Sequence, residues 1–166
     1  TLDEITSASF GKRTLASVMV QLAQLRLRLG AFAEKQALWA AASWRIEHTE
    51  VPARDHRETI LDVDGEPLVL RGRIDRIDVH RDTGERVILD YKSSDSGKSP
   101  ERVHQRAGQW IDLQLPLYRH LAVSLGLTGP LRLGYVLLPK DTANTGFCLA
   151  EWTEVDMSLI HISEPT

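Results

Sequence analysis

The chain has 166 residues, a formal charge of −3 and one cysteine, Cys148. That length suits a single domain burying about two-thirds of its unfolded surface, and a lone cysteine excludes an internal disulfide or a four-thiolate zinc or iron-sulfur site supplied by this chain alone. The slight acidity disfavours a protein that coats nucleic acid through lysine and arginine, and no apolar run approaches the roughly 20 residues that cross a bilayer.

The start lacks the basic, apolar and small-residue order of a secretory signal. A reducing, cytoplasmic setting with no membrane partner is therefore expected.

In chain order, Leu15, Val18, Leu22, Leu25, Leu29 and Phe32 recur at helical spacing. With the alanine-rich stretch that follows, carrying Leu38 and Trp39, they predict a helix to about Ser43, continuous or broken near Gly30. Arg45 to Val51 reads as a strand and Leu68 to His80 as a second, with Asp64-Gly65 marking a turn between them. Asp82-Thr83-Gly84 makes the next turn and Glu85 to Lys92 the third strand. Short connections of this kind imply an antiparallel meander. Ser93 to Gln109 is polar, carries Gly97, Pro100 and Gly108, and suits a mobile loop. Trp110 to Leu125 returns to helical spacing, with Pro116 tolerated near its start and Gly126 suited to its end. Leu131 to Leu138 supplies a last buried strand, stopped by Pro139. The expected order is helix, three strands, helix, strand, in an α/β fold.

Two segments of this pattern carry chemistry. Asp90-Tyr91-Lys92 ends the third strand, and Gly72-Arg73-Ile74-Asp75-Arg76-Ile77-Asp78 lies on the strand before it. Side chains alternate along a strand at about 3.3 Å per residue, so Asp90 and Lys92 leave the same face roughly 7 Å apart. A carboxylate and an amine on one rigid strand, with a carboxylate from its neighbour, suit a hard divalent cation and an activated water. The arrangement points to metal-dependent hydrolysis of phosphodiesters.

Together with Gln114-Leu115-Pro116-Leu117-Tyr118, these segments resemble three ordered motifs of the PD-(D/E)XK nucleases, in particular the RecB and AddB branch. The resemblance covers about Phe32 to Trp152. It implies a mixed sheet flanked by helices, with Asp75, Asp90 and the backbone carbonyl of Tyr91 as ligands of magnesium or manganese. Lys92 would orient the attacking water or offset charge on the transition state. Gln114 and Tyr118, one turn apart on their helix, would support the site and touch DNA. The resemblance further implies DNA as substrate, an exonuclease activity and a helicase fused or partnered in double-strand-break repair. Such nucleases commonly add a ligand from the first helix. Glu34 is the best-placed candidate, and Glu50 on the first strand rivals it. Related nucleases hold an iron-sulfur cluster with four cysteines, which this chain does not supply.

Plainer readings stand beside these. Asp75 suits a surface ion-pair ladder with Arg73 and Arg76, because charged strand residues are usually solvated. Lys92 suits a simple pair with Asp90, Tyr118 a core aromatic, and Glu34 a solvated helix face. Lys98, Arg102, His104 and Arg106 form a basic loop suited to phosphates or to solvent, and the six histidines show no paired zinc spacing. A noncatalytic DNA-binding or partner-docking lobe of the same fold is the alternative function. Residues 1–157 are expected to form one domain of a larger protein, as its C-terminal fragment. The tail, 158–166, resembles translated sequencing-adapter sequence and is set apart from the fold.

Overall fold

The computed structural model describes residues 1–11, 15–52, 59–63, 65–95, 98–127, 129–153 and 156–157, leaving the side chains of Asp62, Val123 and Ser124 aside. The 158–166 tail lies outside the described residues. Helix α1 (Leu2–Phe10) is closed at its start by a capping box between Thr1 and Glu4. The long helix α2 (Ala16–Ala41) runs unbroken through Gly30. Strand β1 (Trp44–Pro52) follows, then a hairpin of β2 (Thr59–Val63) and β3 (Glu66–Leu70). Strands β4 (Arg73–His80) and β5 (Arg86–Lys92) lead to a short helix, α3 (Pro100–His104). Two-residue strands β6 (Gln105–Arg106) and β7 (Gln109–Trp110) precede α4 (Gln114–Ser124), β8 (Leu131–Leu137) and β9 (Gly146–Leu149).

One five-stranded sheet organises the chain in the order β1-β4-β5-β8-β9. Only β5 and β8 run parallel, which needs the crossover that α4 supplies. The sheet is therefore mixed, with helices on its two faces, as expected. On one face Ile77, Ile88, Leu133 and Tyr135 pack with Leu115, Tyr118 and Leu121 of α4. On the other, Val87, Leu89 and Val136 meet Phe32 and Trp39 of α2. Trp39 stacks between Trp44 at 4.7 Å and Phe147 at 4.2 Å, pinning the end of α2 to the sheet.

The structure adds α1, β2 and β9 to the expected order, places Trp110 in β7 with α4 starting at Gln114, and differs from expectation in two further segments. Leu68 to His80 is not one strand. The chain leaves the β2–β3 ladder after Leu70 and enters the main sheet at Arg73, because β3 pairs with β2 whereas β4 pairs with β1 and β5. Ser93 to Gln109 is not simply a mobile loop. It contains α3 and the β6–β7 pair, organised around His104, which is 1% exposed.

Candidate active site

Alternation along β4 and β5 decides which groups meet. Arg76 pairs with Leu89 and Ile77 with Ile88, a register whose continuation sets Asp75 level with Asp90. Asp75 Oδ2 accepts a hydrogen bond of 3.2 Å from the backbone N–H of Tyr91. Asp90 is 5% exposed at the end of β5, and its carboxylate is divided between two sets of neighbours. Oδ1 faces Tyr118 OH at 3.4 Å and Gln114 Nε2 at 3.5 Å, both at the outer limit of hydrogen bonding. Oδ2 lies 2.7 Å from the Lys92 ammonium, yet it accepts no aligned hydrogen bond among the described residues. The contact is thus a close ion pair that brings the ammonium onto a buried carboxylate oxygen.

Gln114 ties the cluster together. Its Oε1 accepts from Lys92 Nζ at 3.2 Å, and its Nε2 donates to Tyr118 OH at 3.3 Å. Helical spacing puts Gln114 and Tyr118 on the same face of α4, directly over the ends of β5 and β8. Burial, together with the charges of Asp90 and Asp75, raises the Tyr118 phenol above its ordinary pKa despite the hydrogen bond from Gln114. Its hydroxyl stays protonated and able to donate at neutral pH.

The other face of the same strands is structural. Arg76 Nε donates to Asp78 Oδ1 at 2.7 Å and Nη2 to Oδ2 at 2.5 Å, with Trp39 Nε1 adding a bond of 2.8 Å to Oδ2. Burial alone would lower Arg76, but its hydrogen bonds to Asp78 and Tyr91 hold it above its ordinary value. Arg76 is therefore not a surface partner of Asp75, and Arg73 instead pairs with Glu50 at 2.8 Å.

Neither proposed helix or strand ligand joins the pair of carboxylates. Glu34 is exposed on α2, away from the side on which Phe32, Lys35, Gln36 and Trp39 turn inward. Glu50 lies level with Asp75 in the β1–β4 register, but its φ of 53° departs from extended backbone and its carboxylate goes to Arg73. Among the described residues no three His, Cys, Asp or Glu side chains gather as a metal cluster. The basic loop is also revised: His104 is buried against Tyr135 and Trp152, so it does not face phosphates.

The chain matches the family model of the PD-(D/E)XK nuclease superfamily over residues 2–158. It belongs to that superfamily. Comparison with curated proteins finds no match. Members of the PD-(D/E)XK superfamily are generally nucleases, which implies DNA as a substrate class, and they typically use divalent metals. The groups gathered here, two carboxylates on adjacent strands beside the peptide of Tyr91, are of the oxygen-donor type that such ions take, with the Lys92 ammonium now paired to one of them. Among the described residues no helix is long and apolar enough to cross a membrane.

Tyr135 carries no signal in the sequence, and His104 reads there only as part of the basic loop. Their contact spans α3 and β8, and nothing in local spacing signals it.

Proposed function

We propose that the protein is a magnesium-dependent DNA nuclease of the RecB and AddB type, acting as an exonuclease within a helicase-nuclease that processes double-strand breaks. Manganese would substitute for magnesium. The observation that carries this reading is the setting of the Asp90 carboxylate: level with Asp75 on the neighbouring strand, paired with the Lys92 ammonium at 2.7 Å and bounded by Gln114 and Tyr118.

In this reading Asp75, Asp90 and the Tyr91 carbonyl hold the cation, which when bound would neutralise the scissile phosphate and acidify a water. Tyr118 and Gln114 restrain Asp90 through Oδ1, so that Oδ2, the oxygen paired with Lys92, would be the one offered to the ion. Gln114 also holds the Lys92 ammonium at the rim, where it meets charge developing on phosphate oxygens. Gln114 and Tyr118, at the start of α4, border the path of the DNA backbone.

The test is magnesium-dependent digestion of linear against circular DNA by the intact chain. Asp90→Ala should abolish cleavage with the fold retained, and undiminished digestion by that variant would refute the assignment. Preference for linear DNA would support the exonuclease reading.

A second reading, a noncatalytic lobe that binds DNA or docks a partner, draws on the exposed position of Glu34 and the pairing of Lys92 with Asp90. Calorimetric manganese titration separates the two, because binding weakened by Asp75→Asn belongs only to the first.

A further inference from the structure

Behind Lys92 lies a buried polar chain that the proposed chemistry does not use. Asp90 and Tyr135 are register partners on the parallel strands β5 and β8, so their side chains leave the same face. The Lys92 ammonium sits over the Tyr135 ring, 5.2 Å from its centroid. Tyr135 is 1% exposed, and burial, with the charges of Asp90 and Asp112 next, raises its phenol far above the ordinary value. A hydroxyl that keeps its proton needs an acceptor, and it contacts His104 Nε2.

The tautomer of His104 follows from its other side. Nδ1 faces the Asp112 carbonyl oxygen at 2.8 Å and Asp112 Oδ1 at 3.2 Å. Both are acceptors, so Nδ1 carries the proton and Nε2 receives that of Tyr135. Asp112 Oδ1 also accepts from the backbone N–H of Gln114 at 2.8 Å, fixing the start of α4. Gln114 Oε1 in turn holds Lys92. Two arms therefore leave His104 and converge on one ammonium: Tyr135 supports it from beneath, and Asp112 acts through Gln114 from the side.

We infer that His104 and Tyr135 are positioning residues that hold Lys92 at the nuclease site, with His104 fixing both the aromatic ring and the helix start that contact it. The functional part of this inference rests on the nuclease reading. The contact itself does not, and it is read without DNA.

Isotopic labelling of lysine in the full chain gives that reading by NMR. The Lys92 ε-methylene protons, assigned by their loss in Lys92→Met, should lie upfield of the other lysines because of the ring beneath them. Tyr135→Leu should abolish the displacement. Tyr135→Phe and His104→Ala should reduce it by freeing the ring, and His104→Gln should return part of it by restoring an acceptor. In cleavage assays these losses should lower kcat by about 10- to 100-fold with KM for DNA unchanged, the scale expected for residues that orient a reacting group. Thermal unfolding identifies variants that fail to fold, and Tyr135→Phe, which removes one oxygen, keeps the test decisive if His104→Ala is lost. An undisplaced Lys92 signal in the unmodified protein, or displacement and kcat untouched by Tyr135→Phe, overturns the inference. A displaced signal in a protein that digests no DNA would instead retire the nuclease reading and leave the contact standing.

Discussion

Lys92 and Asp90, two residues apart on β5, turn their charged ends toward each other, with 2.7 Å between Nζ and Oδ2. That pairing makes the ammonium a competitor for the oxygen that would face a cation. Lys92→Met should therefore bind manganese at least as tightly as the unmodified protein, by calorimetry. Cleavage should nonetheless fall by about 10²- to 10³-fold, the usual cost of losing one group that stabilises transition-state charge. Weakened metal binding in that variant would mean that Lys92 serves to build the site rather than to act in it.

Asp75 and Asp78 look alike in the sequence and should behave oppositely. Three residues apart on a strand, they face opposite sides of the sheet. Asp78 is completely buried and paired with Arg76, so Asp78→Ala leaves a buried guanidinium without its partner. The expected cost is about 3–5 kcal/mol in urea unfolding. Asp75 is half-buried and accepts one hydrogen bond, so Asp75→Asn should cost about 1 kcal/mol or less while removing cleavage. Comparable destabilisation by both would contradict the division of the two faces.

That division also explains what was legible beforehand. Period-two alternation is a local property, so the common face of Asp90 and Lys92 followed from spacing, as did the common face of Gln114 and Tyr118 from helical geometry. The core strands and the helix α4 were visible for the same reason, whereas the parallel pairing of β5 with β8 was not. The mate of a buried polar group is not local. His104 reads as part of a basic stretch, and only α3 packing under β8 turns it toward Tyr135. The separate β2–β3 hairpin was hidden for a related reason: the run from Leu68 to His80 has strand character throughout, while the change of sheet at Arg71-Gly72 depends on which partner each half finds.

Alkaline stability should report the two buried phenols. Tyr118 and Tyr135 are both raised from the ordinary value of 10.0, burial being the largest cause for each. Below that value neither the folded nor the unfolded chain loses these protons, and the shifts have no effect on stability. As pH rises through it, the unfolded chain ionises first, so stability is lost progressively until the folded groups titrate. Each contributes a slope of about 1.4 kcal/mol per pH unit across its window. Urea unfolding of Tyr118→Phe and Tyr135→Phe against pH should each show a shallower alkaline decline, and an unchanged slope would show that the phenols are not protected in the folded state.

Gly134 should be far less replaceable than Gly72. Gly134 pairs with Leu89 on β5 and Leu149 on β9, and a Cβ built there would lie 2.8 Å from the Cys148 carbonyl oxygen and 3.1 Å from the Leu149 Cα. Those are backbone atoms of the neighbouring strand, so Gly134→Ala must push β9 away and should cost about 1–3 kcal/mol, as overpacking generally does. At Gly72 the atom met is Leu121 Cδ1 at 2.9 Å, the end of a side chain that can rotate aside. Gly72→Ala should then cost about 1 kcal/mol or less. Because Gly134 immediately precedes Tyr135, its alanine variant should also disturb the ring beneath Lys92 and lower kcat. Equal losses of stability at the two glycines would show that β9 yields as easily as a leucine methyl.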